Sequence, residues 1–185
     1  LMSNNAPFAI KTPHILQSEE KLYFLHIPKT AGSSFSWLLQ SFFSIDNIEF
    51  CYGAWEKRRQ ISDLPAYRLY IGHAGYKYLN HFSENRPLWI TMLRHPVDRF
   101  ISFYFFLLQV REKRASQNKK RAAKFEFVAD CKNLLGFITH PDSSNAYHNL
   151  QTKHLYRYSQ FSLYKESVDL PTDVLDIVKD RLINE

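Results

Sequence analysis

Apolar runs that stop at a polar turn and pass straight into a helix pattern recur along this chain, and that alternation restricts the fold most. The first run, Lys21–Ile27, is apolar enough to be buried on both faces and stops at Pro28-Lys29-Thr30. From there Phe35, Leu38, Leu39, Phe42 and Phe43 fall at i, i+3, i+4, i+7 and i+8, one face of a helix, with Ser33 or Ser34 suited to the N-cap. The second run, Pro87–Leu93, ends at Arg94; Pro96 then suits the first turn of a helix whose Phe100, Phe103, Tyr104, Leu107 and Leu108 repeat the spacing. A shorter strand, Arg68–His73, lies between them. Strands alternating with helices predict an α/β domain of three layers, a central parallel sheet flanked by helices.

In such a sheet, ligands bind beyond the carboxyl ends of the strands. All three runs end in polar chemistry there: Lys29 to Ser34, Gly72-His73, and Arg94-His95-Pro96. The first turn reads as P-loop-like, although its lysine precedes the glycine, unlike G-x-x-x-x-G-K-[ST]. Gly32 permits close backbone approach, and the amides of Gly32, Ser33 and Ser34 open a helix whose dipole favours an anion. Lys29 adds charge, and Thr30, Ser33 and Ser34 add hydroxyls. Arg94 suits a bidentate contact to phosphate, with Ser102 eight residues on, two turns along the next helix. Taken singly, these turns are also compatible with an ordinary capped connection and a structural ion pair. Together they suggest a ligand with two separated anionic groups.

A net charge of +6 favours anionic partners without choosing among them. Arg111–Lys124 carries seven Lys/Arg against one Glu, a candidate grip for an anionic polysaccharide or simply a solvated face. Two cysteines, Cys51 and Cys131, make no disulfide framework, and no metal-ligand motif is present, so no metal is expected. Without an apolar stretch of about 20 residues, no membrane span is expected. Trp37, Trp55 and Trp89 are expected in the core before any sugar-stacking role. His26, inside a strand, reads as a packed polar residue, and His154 is given no role.

The quoted segments are similar to those of the sulfotransferases, most of all the Golgi carbohydrate group that includes heparan sulfate 2-O-sulfotransferase. HIPKTAGSSF resembles the family's 5′-phosphosulfate loop, LRHPVDRFISFYFF its 3′-phosphate segment, YIGHAGYKYL its glycine-histidine segment, and NLQTKHL a further N-x-Q-T-[RK] segment, in the family's order. His95 stands where the family usually has Asp. The resemblance implies 3′-phosphoadenosine 5′-phosphosulfate (PAPS) as donor, 3′-phosphoadenosine 5′-phosphate (PAP) as product, and a hydroxyl acceptor, expected to be a carbohydrate. It implies His73 as base, Lys29 at the leaving phosphate, Lys29, Thr30, Ala31, Gly32, Ser33 and Ser34 around the 5′ end, and Arg94 with Ser102 on the 3′-phosphate. Gln151, Thr152 and Lys153 are candidates for the cofactor or acceptor side. Residues 1–20 are expected to be a loosely ordered lead-in to one domain over 21–185, which in the family continues into further segments. The expected setting is cytoplasmic for a complete chain and the Golgi lumen if a membrane anchor precedes it. The competing enzyme reading is a nucleotide-dependent phosphotransferase. A non-catalytic nucleotide- or nucleic-acid-binding module is the other, and nucleic acid is not the expected partner.

Overall fold

The structure is a computed structural model that describes residues 14–52, 67–82, 86–116, 127–143, 149–156 and 172–184. Its described strands are β1 (Leu22–Leu25), β2 (Ile48–Cys51), β3 (Leu69–Gly72) and β4 (Leu88–Thr91). They form one all-parallel sheet in the order β2-β3-β1-β4. The sheet is thus the predicted α/β arrangement, with shorter strands than the apolar runs. It also includes β2, which the sequence reading did not place.

Side-chain alternation explains the layers. Phe24, Leu69, Ile71 and Ile48 point to one face and pack with Leu39 of helix α1 (Gly32–Gln40). Tyr23, Leu25, Tyr70 and Cys51 point to the other, where they meet the 3₁₀ turn Tyr76–His81 and helices α5 (Leu150–Tyr156) and α6 (Val174–Asn184). Tyr23, Phe24, Leu25, Tyr70 and Ile71 are fully buried, each side chain contributing roughly 1.5–3 kcal/mol. Arg181 of α6 lies over the Tyr76 ring at 3.9 Å and donates to the carbonyls of Leu155 (2.8 Å) and Tyr156, which caps the end of α5.

Helix α2 (Pro96–Ser116) starts at the predicted proline and buries Phe103, Tyr104 and Leu107 against Phe127, Val128 and Phe137 of α3 (Phe127–Asp130) and α4 (Leu134–Thr139). It carries the basic stretch as far as Ser116; residues 117–126, like Trp55, lie outside the described residues.

The α1 face differs from the expectation. Leu39 is buried, but Leu38 and Phe42 are 53% and 73% exposed, and Trp37 is 80% exposed rather than in the core. The helix stops at Gln40, where Ser41 bonds back to the carbonyls of Trp37 and Leu38, so the chain leaves the helical register before Phe42. Trp89 does reach the core, packing edge-on against Tyr76 at 5.5 Å. Cys51 and Cys131 are both buried as thiols, with no disulfide between them.

Candidate functional site

The strand order sets His73, the Lys29 turn and Arg94 at the ends of neighbouring strands β3, β1 and β4. Thr91 Oγ1 donates to the Leu25 carbonyl at 2.8 Å, which holds the end of β4 against β1 beside the turn.

The turn is built from left-handed residues. Lys29 and Ala31 have φ of 70° and 66°, and Ala31, not a serine, stands at the N-cap of α1 with no side-chain cap. This corrects the expected Ser33 or Ser34 cap. The residue before the helix, Ala31, is left-handed rather than in the extended conformation that a capping serine takes. The first-turn amides of α1 are therefore left for another acceptor. Ser33 and Ser34 are exposed there, whereas the Thr30 hydroxyl donates to Ile27 O at 2.8 Å and closes the turn. Thr30 thus shapes the loop, and the exposed hydroxyls of the turn are those of the two serines.

Lys29 Nζ sits over the Phe106 ring at 4.7 Å. Ser102 lies one turn before Phe106 on α2, so this contact brings the Ser102 face of α2 toward the turn. Burial lowers the Lys29 pKa, and the nearby Arg94 guanidinium lowers it further. Two cations are thus close enough to repel, an arrangement that a dianionic ligand would relieve.

Arg94 is exposed, but its backbone is fixed. Gln151 Oε1 accepts from Arg94 N at 2.9 Å, and Gln151 Nε2 donates to Arg94 O at 2.8 Å. Gln151 therefore acts on the cation's main chain. Thr152 is half-buried, and Lys153 is buried with its pKa lowered by burial, so this segment is no solvated face. A cavity of about 590 Å³ lies between α2, α4 and α5, bordered by Phe100, Ile101, Leu134, Ile138, Gln151 and Thr152. The sequence reading missed it because its walls come from three separated segments.

His73 is held from two sides. Its amide donates to Cys51 O at 3.1 Å, and its Nδ1 bonds the His26 carbonyl. A carbonyl only accepts, so Nδ1 carries the proton and Nε2 presents its lone pair. Burial lowers the His73 pKa, partly offset by that carbonyl, and the net lowering favours the neutral ring.

Gly32 is where the turn and the His26 ring touch. A Cβ there would fall 2.1 Å from His26 Cδ2 and 2.4 Å from its Nε2. The ring cannot give way, being stacked on Phe24 at 5.6 Å with His73 at 4.6 Å. Gly32→Ala should therefore destabilise by about 1–3 kcal/mol, read as a lower urea midpoint at unchanged m. A variant within ~0.3 kcal/mol of the parent would show that the ring moves freely.

Among the described residues no cluster of three or more His, Cys, Asp or Glu could hold a metal ion, and no helix is long and apolar enough to cross a membrane. A family model described as "Sulfotransferase family" matches residues 13–171. The chain is also 27% identical over 116 residues to heparan sulfate 2-O-sulfotransferase hst-2 of Caenorhabditis elegans, covering 63% of this chain and 32%, about a third, of that protein's length. No solved structure matches the chain significantly.

Proposed function

The chain belongs to the sulfotransferase family, and on that premise we propose that it moves a sulfuryl group from PAPS to a hydroxyl of a carbohydrate acceptor. The observation that carries the reading is the row of strand ends, with a neutral histidine at β3, an uncapped helix start with Lys29 at β1, and a second cation, Arg94, beside β4.

The residues fit that donor. Gly32 lets the turn close onto the His26 ring, the first amides of α1 with Ser33 and Ser34 would hold the 5′ end, and Arg94 with Ser102 would hold the 3′-phosphate. PAPS supplies a sulfuryl group attached to a phosphate leaving group. His73 Nε2 takes the proton of the acceptor hydroxyl as its oxygen bonds to sulfur. The bond from sulfur to the phosphate oxygen breaks with its electron pair going to PAP, and Lys29 meets that developing charge. Gln151 keeps Arg94 in position rather than touching the ligand. The acceptor class rests on the name of the nematode relative and on the basic run of α2, which suits an anionic polysaccharide.

Thermal shift with PAP, with ATP and Mg²⁺, and with single-stranded oligonucleotide tests the reading. PAP should stabilise the protein selectively, by about 2.7 kcal/mol at a hundredfold excess over Kd. Arg94→Ala should weaken PAP by roughly tenfold or more, as expected for a lost charge-assisted contact. Stabilisation by ATP-Mg²⁺ alone would replace the reading with a phosphotransferase, and by oligonucleotide alone with a nucleic-acid module.

A further inference from the structure

We propose that His26 and Tyr52 are positioning residues that bracket His73 and tie it to the first turn of α1; the catalytic consequence rests on the reading of His73 as base. The ladder runs one residue past the strands: His26 N donates to Gly72 O at 2.8 Å and His73 N to Cys51 O at 3.1 Å. Since Cys51, Gly72 and Leu25 share a register row, Tyr52, His73 and His26 form the next one. Their side chains leave the sheet on the side of α1, with His73 in the middle. The three rings form a triangle: Tyr52 meets His73 edge-on at 4.8 Å and 76°, the His26 ring lies 4.6 Å from His73 at 48°, and Tyr52 and His26 are 6.3 Å apart, so His73 is walled on two adjacent sides.

The outer two members are also bonded to each other. His26 Nδ1 lies 3.3 Å from Tyr52 Oη. Ser36, buried in α1, donates its hydroxyl to Gly32 O at 2.7 Å. The His26 ring fills the space where a Gly32 side chain would stand, and its carbonyl fixes the proton on His73 Nδ1. A continuous path therefore runs from His73 through His26 to Gly32, with Tyr52 joined to it at His26 Nδ1. The walls limit rotation of the base, and the path sets its distance from the anion-binding turn. His26 is 7% exposed and takes no part in contact with an acceptor.

Histidine-ring ¹⁵N NMR at pH 7.5 tests this directly on the unmodified chain, Tyr52→Phe and His26→Ala, with His73 signals assigned by their loss in His73→Gln. The unmodified chain should show His73 as a single Nδ1–H tautomer. Tyr52→Phe, which keeps every apolar contact, should give a mixture of tautomers, and turnover should fall about tenfold in kcat while KM for PAPS stays within about twofold. His26→Ala should do the same more severely. An unchanged single tautomer in Tyr52→Phe overturns the proposal, whether or not His26→Ala folds. Mixed tautomers in Tyr52→Phe with no turnover in any protein would support the bracket and sink the sulfuryl-transfer reading instead.

Discussion

His73→Ala should lose about 10²–10⁴-fold in kcat while PAP binds as before. The two halves of that result come from different parts of the site. His73 stands at the end of β3, and its bonds run to the main-chain carbonyls of Cys51 and His26 and to none of the residues Lys29 to Ser34 that would hold the nucleotide. Its removal takes away the lone pair at Nε2 and leaves the first turn of α1, Lys29 and Arg94 intact. Lys29→Ala should behave differently. It removes charge at the leaving oxygen and a cation from the ground state, so kcat should fall by roughly 10²–10³-fold and PAP affinity with it. Measuring kcat by product formation and Kd by calorimetry for both variants separates the roles. Normal turnover in His73→Ala would remove it as the base. Unaltered PAP affinity in Lys29→Ala would place the lysine outside the donor site.

The three polar strand ends were legible because parallel strands buried on both faces read as uninterrupted apolar runs, and each run here ends abruptly at Lys29, His73 or Arg94. Strand β2 was not, because Ile48–Cys51 is four residues long with Glu49 inside it. The signal that could have found it is the alternation Ile48, Phe50, Tyr52. Without β2 the row Tyr52–His73–His26 is invisible, and His26 reads as packing alone. The helix cap went astray for a different reason. Sequence rules place Ser at the N-cap of an isolated helix, whereas this helix begins inside a turn that uses left-handed Lys29 and Ala31, and the serines become the second and third residues of the helix. Gln151 carried no sequence signal as a clasp, since its partner is the main chain of a residue 57 positions away.

Acidification should unfold this protein well above the pH at which carboxylates titrate, because three histidines are held neutral in the fold. His154 is completely buried, its Nδ1 donates to Leu150 O at 3.0 Å, and its pKa is pushed down to about 3 by burial and by His73, Arg99 and His26 nearby. Its Nε2 has no hydrogen-bond partner among the described residues, so a proton there would meet neither acceptor nor water. Burial and His73 likewise push His26 down to about 4, and His73 itself is lowered. Each folded pKa lies below the unfolded value of about 6.5, so between these limits the unfolded chain binds more protons. Stability is therefore fully present above about pH 6.5 and declines as pH falls toward 4. His154 alone accounts for on the order of 3 kcal/mol across that window, a large part of the whole stability of a small domain. Urea unfolding at pH 7.5, 6 and 5 should show the midpoint falling steeply, and His154→Leu should flatten the slope even where it lowers stability at pH 7.5. A midpoint constant from pH 7.5 to 5 would mean that these rings accept protons without cost, and that the site is open to water in solution.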